Sequence, residues 1–286
     1  MELFLQQLIN GIALGSVYGL AALGLTLVFG VLRIPNLAHG ALYMVGAYVT
    51  YFALVSYGIP YIAAIGLSAV VLAVVGITIE RLVFHPLRNA PHTHHLIAAV
   101  GVLFFLESGA QVLWGSEFRQ MPSPFVGTVE VLGLNIGLQR LVVIFASIAV
   151  MAALYLFLKK TVPGQTIEAI EQDRTGASLV GIDANRVSMM TFGISAALAA
   201  VAASLVAPIN LVFPTMGEAL NLKVFAIIIL GGLGSIPGAI VGGFLLALAE
   251  VFSSTYISNA FGQAIGFVFL LVVLAVRPTG LFSKGV

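Results

Sequence analysis

Along this chain apolar residues gather into long blocks, broken by short stretches that carry the charges, prolines and many of the glycines. The blocks run over Leu5–Val31, Ala41–Tyr57, Tyr61–Ile79, Leu96–Trp114, Leu141–Leu158, Val187–Ala207, Leu222–Gly234, Ala239–Phe252 and Gly262–Val276. A helix needs about 20 largely apolar residues to cross the hydrocarbon of a bilayer. The pattern therefore predicts an all-α polytopic membrane protein with eight to nine transmembrane segments, some of them short or broken. The two blocks flanking Ser235-Ile236-Pro237 are short for full crossings and read as half-helices or a re-entrant hairpin. Lipid tolerates such elements only where protein or a cavity covers the freed backbone. The first block is too long for a signal peptide and follows Met1-Glu2 rather than a basic stretch, so it is expected to stay in the mature protein.

Composition narrows this further. Of 286 residues, 60% are hydrophobic and 8% charged, against about 25% charged in soluble domains. So few charges cannot cover a water-facing surface, which excludes a soluble enzyme, a nucleic-acid binder and a disordered chain. A net charge of +1 offers no general attraction for polyanions, and the absence of cysteine removes disulfides, thiolate nucleophiles and Cys-ligated metals.

Charge distribution gives an orientation. With nine alternating segments, Arg33, Arg81, Arg88, Lys159, Lys160, Arg174, Arg186, Arg277 and Lys284 fall on one side, and Arg119, Arg140 and Lys223 on the other. The positive-inside rule makes the first side cytoplasmic, with the N-terminus outside and the C-terminus inside. Fusing the two short segments would move Arg277 and Lys284 outside, which favours nine.

One connecting segment differs from the rest. Residues 159–186 (KKTVPGQTIEAIEQDRTGASLVGIDANR) hold eight of the 23 charged residues. Thr166 is expected to cap a short helix with Glu168 in its first turn, and Gly176 or Gly181 to end that helix or a second one. Such a helix at a membrane surface reads as a docking element for a soluble partner, or as a solvated connector. On the other side, residues 115–140 contain Pro122, Pro124 and an alternating stretch, Thr128–Leu134, that predicts a short strand in a hairpin. It would cap the mouth of a path or form a packed surface loop.

Within the spans, Gly11, Gly15 and Gly19 fall four apart, as do Gly234, Gly238 and Gly242. Such stripes let helices pack closely. Glu107 and Glu250 are ionisable groups inside spans, where charge is costly and often functional. Pro35, Asn36, His39 and Gly40 form a polar break, read as lying on the cytoplasmic side. Asn36, His39, Glu107 and Glu250 are thus the candidates for a translocation path. Pro35, Gly40, Gly234, Pro237 and Gly238 are the candidate helix breaks. His92, His94 and His95 (PHTHH) lack neighbouring carboxylates and read as solvated loop residues rather than metal ligands. No P-loop, HExxH or GxSxG pattern occurs, so no catalytic residue or metal site is expected. The residues themselves stop at a membrane translocation subunit. A self-contained secondary transporter, its coupling ion held by an acid such as Glu107, and a structural assembly subunit stay open beside it.

Five stretches carry a resemblance. They are GLTLVFGVLRIPNLAHGALYMVGAY (Gly24–Tyr48), IERLVFHPLR (Ile79–Arg88), GQTIEAIEQDRTGASLVGIDANRV (Gly164–Val187), FAIIILGGLGSIPGAIVGGFLLALAE (Phe225–Glu250) and RPTGLF (Arg277–Phe282). Together they resemble the LivH-type permeases of bacterial branched-chain amino-acid ABC importers. The resemblance implies one transmembrane permease domain over 1–286, built as two inverted halves, about 5–114 and 187–276, around a cytoplasmic coupling loop at 159–186. It implies pairing with a LivM-like permease, two cytoplasmic ATPases that bind the ATP and Mg, and a periplasmic or lipid-anchored binding protein, in a bacterial cytoplasmic (inner) membrane. The chain itself would need no cofactor. The implied cargo is leucine, isoleucine or valine, although members of the wider family also carry urea, short amides or other amino acids. Glu168, Ala169, Glu171, Asp173, Arg174, Gly176 and Gly181 then occupy the place of the ATPase-coupling helix. Glu168-Ala169-Ile170 with Gly176 departs from the EAA-x3-G form of many other importers.

Overall fold

The computed structural model describes residues 2–131 and 134–258, with residues 264, 268, 271–273, 275, 277 and 280–282 beyond them. The expected ninth segment, Gly262–Val276, lies outside the described residues except for those isolated positions. Ten α-helices and one β-hairpin are described. Six helices are long and apolar enough to cross a membrane: α1 (Glu2–Leu32), α3 (Tyr61–Ile79, continued as a π-helical turn to Phe84), α4 (His92–Trp114), α5 (Leu138–Lys160), α8 (Ala184–Val206) and α10 (Ile236–Tyr256). Two apolar helices are shorter, α2 (His39–Val55) and α9 (Met216–Gly231). Helix is the form expected where no water can pair backbone groups.

Two amphipathic helices, α6 (Val162–Gln172) and α7 (Arg174–Leu179), lie at one end of the bundle. The opposite end carries the hairpin, β1 (Thr128–Val131) paired antiparallel with β2 (Leu134–Gly137), so that Val129 faces Ile136 and Glu130 faces Asn135. Hydrogen bonds tie that end together. The Thr50 and Ser204 hydroxyls meet at 2.5 Å, Tyr61 donates to the Ser204 carbonyl at 2.8 Å, and Gln139 donates to the Tyr61 oxygen at 3.2 Å.

The bundle is built around α1 and α8, which are 83% and 72% buried over their most apolar stretches, whereas α3, α4 and α5 bury only 22%, 22% and 28%. Side-chain size explains the close central contacts. Gly11, Gly15 and Gly19 of α1 face Leu248, Phe244 and Ile240 of α10, and a Cβ on Gly15 would stand 2.9 Å from the Phe244 Cα. Gly46 of α2 and Gly76 of α3 meet Ala200 and Ala196 of α8 in the same way. Without a hydrophobic drive between helices in lipid, such backbone approach supplies the packing attraction. The outer faces keep large apolar side chains exposed, among them Phe105, Val112 and Phe145.

The structure revises several expectations. The pair around Ser235-Ile236-Pro237 is not a re-entrant hairpin. The turn Gly232–Ser235 lies at the α6–α7 end, where Gly234 approaches Glu171 and Gly30, and α10 then runs back along α1 until Phe252 meets Phe4. Ser235 caps α10 by accepting from the Gly238 N–H, with Pro237 in the first turn, where its missing N–H costs nothing. Lys223, counted on the outer side at the start of the Leu222–Gly234 segment, lies inside α9 and pairs with Glu250. His92, His94 and His95 are not loop residues; they open α4, and His95 is buried.

Candidate functional site

The most unusual backbone in the bundle is where α1 passes into α2. Helix α1 stops at Leu32, Arg33 adopts a left-handed φ of 55°, and Pro35 prevents resumption of helix. The chain then climbs back into the bundle. His39, the first residue of α2, donates from its ring Nε2 at 2.9 Å to the carbonyl of Ala21, eleven residues before the end of α1. At ~1.5 Å per residue that is roughly 16 Å above the end of α1. The break was expected to stay on one surface; its far end lies deep in the bundle, with His39 and Asn36 fully buried. The second ring nitrogen of His39 stands 3.4 Å from Ser195 Oγ, midway along α8.

A second break, which the sequence reading passed over, meets the first. After Val206 the chain turns through Pro208 and Pro214, pairs Val212 with Arg119, and starts α9 at Met216. The first turns of α2 and α9 touch through Gly40 and Gly217. A Cβ on Gly40 would lie 2.2 Å from the Gly217 carbonyl oxygen, so only glycine fits. Asn221 donates to the Leu37 carbonyl at 2.7 Å and locks the crossing, while Asn36 accepts from the Ala38 N–H at 3.1 Å. The Nδ2 of Asn36 and the Oδ1 of Asn221 keep no hydrogen-bond partner among the described residues. Two short helices thus begin in the interior with their N-termini together.

Charges inside the bundle form two separate groups. Glu250 of α10 receives hydrogen bonds from Lys223 of α9 at 2.6 Å and from the Tyr18 hydroxyl of α1 at 2.9 Å, and Lys223 reaches that hydroxyl at 2.7 Å. The three side chains tie α1, α9 and α10 and satisfy one another. Glu107 of α4, 5% exposed, brings its carboxyl group against that of Glu218 in the first turn of α9, which is exposed. Glu107 Oε1 has no partner among the described residues. The four path candidates therefore occupy three places: Asn36 and His39 at the crossing, Glu107 beside Glu218, and Glu250 against Lys223. Glu218 and Asn221 escaped the sequence reading, and Lys223 entered it only as an outer-side charge, although Pro208 and Pro214 ahead of an apolar run marked the start of α9.

The segment 159–186 folds as two helices joined at Asp173. Thr161, not Thr166, caps α6 by accepting from the Gly164 N–H at 3.1 Å. Gly164 packs on the α5 backbone, and Ile167 and Ile170 are buried, which fixes α6 flat under the bundle. Lys159 pairs with Glu168 at 2.8 Å. Asp173 caps α7 at 2.9 Å from the Thr175 N–H, Gly176 lies within α7 rather than ending it, and Gly181 follows α7 with a φ of 89°. The Glu171 carboxylate lies over Gly30 at the end of α1 and Gly234 in the α9–α10 turn. Ala169 is half-buried, Arg174 is exposed, and Leu179 and Val180 are 84% and 78% exposed.

An apolar bundle with helices that begin in its interior, and with an amphipathic segment lying across one end, defines an all-α multi-pass membrane protein of the transporter kind. Residues 7–276 match the family described as branched-chain amino acid transport system / permease component, and the chain belongs to it. It is 38% identical to the high-affinity branched-chain amino acid transport system permease protein LivH of Escherichia coli (strain K12), over 98% of this chain and 96% of that protein. It is 34% identical, with the same coverage, to BraD of Pseudomonas aeruginosa, which carries the same description. The probable branched-chain amino acid transport permease protein LivH of Methanocaldococcus jannaschii is 30% identical, over 92% of this chain and 87% of that one. Among solved structures, PsaBC from Streptococcus pneumoniae in complex with Fab shares the fold, with a TM-score of 0.50 and 15% identity over 94% of this chain and 91% of that one.

Proposed function

We propose that this chain is the translocating permease of an ABC importer for leucine, isoleucine and valine, driven by ATPases that are separate polypeptides. The observation that carries the reading is the α6–α7 segment: it is anchored to the bundle through Ile167, Ile170 and Glu171, yet presents Leu179 and Val180 outward. Exposed large apolar residues beside charged ones suit a protein partner better than solvent. Glu168, Ala169, Glu171, Asp173, Arg174, Gly176 and Gly181 belong to this surface, Glu171 and Asp173 through the contacts that shape it.

Eight basic residues, Arg33, Arg81, Arg88, Lys159, Lys160, Arg174, Arg186 and Arg277, cluster at the α6–α7 end, against Arg119 and Arg140 at the hairpin end. This supports a cytoplasmic α6–α7 end and an outer hairpin, in a bacterial cytoplasmic membrane. The units α1–α3 and α8–α10 each contain a long buried helix, a short helix starting in the interior and a third crossing, which supports the two-inverted-halves reading. A second permease and a substrate-binding protein on the hairpin side complete the assembly. ATP-driven closure of the ATPases would push α6–α7 and tilt one unit against the other.

Co-purification tests this. The tagged chain is expected to retain two ATPases and a second permease, and its proteoliposomes to take up leucine, isoleucine and valine when given ATP and the binding protein. L179E/V180E should lose the ATPases while keeping the second permease. Retention of the ATPases by that variant would overturn the docking assignment, and uptake of urea or amides in place of the branched-chain amino acids would move the cargo.

A further inference from the structure

Helix α9 presents an outward face made by Glu218, Ala219 and Leu222, which spacing places on one side of the helix. This face lies far from either end of the bundle. Gly217 touches Gly40, next to His39, and His39 stands against Ser195 at the midpoint of α8. Glu107, the partner of Glu218, lies between the middle of α4 and its Trp114 end. Both carboxyl groups are therefore at the depth of hydrocarbon, and the Glu218 side is open.

Lipid cannot be what covers it, because an ionised carboxylate is expelled from hydrocarbon unless it is paired or meets water. Lys223, the nearest base along α9, is engaged by Glu250 and Tyr18 and does not compensate it. Two carboxyl groups brought together have more acceptor oxygens than they can satisfy on each other. One of these, Glu107 Oε1, is on a 95%-buried side chain, counting from its 5% exposure, and has no partner among the described residues. One turn further along α9, the buried Asn221 Oδ1 is likewise unpaired. On the α9 face itself the unpaired groups are acceptors, which beside an exposed carboxylate suit a cationic donor.

We infer that the Glu218 face of α9 lines the water-filled translocation path, and that the Glu107–Glu218 pair holds the ammonium group of the amino acid as it passes. This rests on the permease reading and adds where the cargo's charged head is met. The apolar remainder of that face, Ala219 and Leu222, leaves room for an aliphatic side chain beside it.

The chain contains no cysteine, so single cysteines report without interference. In the complete transporter in proteoliposomes, E218C and L222C are expected to react with a membrane-impermeant cationic methanethiosulfonate at least about tenfold faster than F105C. Phe105 is 76% exposed on the outer side of α4. Leucine supplied with the binding protein should slow the reaction at both path positions. E218Q should raise the half-saturating concentration for uptake several-fold. Reaction of E218C no faster than that of F105C would place this face against lipid or the second permease and overturn the path. Unchanged uptake by E218Q would overturn the ammonium contact. Absence of ATP-driven leucine uptake by the wild-type assembly would be a failure of the permease reading instead, visible before any variant is made.

Discussion

Two pairs of charged groups sit inside this bundle, and they are built on opposite principles. Lys223 and Glu250 bear opposite charges, lie 2.6 Å apart, are each only about one-sixth exposed, and share the Tyr18 hydroxyl. Glu107 and Glu218 are two acids, one buried and the other open, and spare oxygens remain. The first pair is closed: every group has its partner inside the chain, and its effect is to pin α9 and α10 to α1. The second is incomplete as it stands and gains by meeting something from outside. A charge in the membrane is thus read by whether its partners are already present, and proximity to a span does not separate the two cases.

The contrast can be broken from the closed side first. K223M strands the Glu250 carboxylate among apolar helices and should destabilise the protein by about 3–5 kcal/mol, the cost of removing one member of a buried pair. Thermal unfolding of the purified protein in detergent would register this as the largest loss among these variants. K223M/E250L, which removes both charges, should recover most of it; if the double variant is as unstable as the single, the pair contributes more than mutual neutralisation. Next in size is G40A, which touches neither pair but drives a methyl group into the Gly217 carbonyl. A cost of about 1–3 kcal/mol is expected for such overpacking, again by thermal unfolding.

E107Q acts on the open pair. The amide keeps the shape and can still hydrogen-bond to Glu218, so stability should change by less than about 1 kcal/mol, while ATP-driven uptake drops several-fold. A large stability loss with normal uptake would make the acid pair a structural feature like its counterpart. The smallest effect is expected for K159A. The Lys159–Glu168 pair is exposed, and solvent competes with both partners, so neither unfolding temperature nor uptake should move measurably.

Much of the fold was legible along the chain, and the reason is local. The apolar blocks predict α1, α3, α4, α5, α8 and α10 because a span must satisfy its backbone within itself, whatever surrounds it. The alternation at Thr128–Leu134 predicts the hairpin, and the charged run at 159–186 predicts amphipathic helices, although the cap fell on Thr161 rather than Thr166. The interior was less legible. Pro35 and Gly40 marked a break, but its depth depends on a contact between His39 and Ala21 that no spacing shows. Lys223 read as a charge at the outer edge of a span because its partner Glu250 is 27 residues away on another helix. Glu218 drew no notice because one acid near the start of an apolar run resembles ordinary helix-end chemistry until Glu107 is brought against it.

By itself, then, the sequence determined that the chain lives in a membrane, that most of its apolar blocks are helical, and which connecting stretch concentrates the charges. Each of those follows from composition within one stretch and its interaction with lipid or water. Only the tertiary structure decided that α2 and α9 begin in the interior with their backbones in contact, that Lys223 and Glu250 cancel, and that Glu107 and Glu218 do not. These rest on pairings between residues remote in sequence, where removing water makes the presence or absence of one partner decide what a charged side chain does.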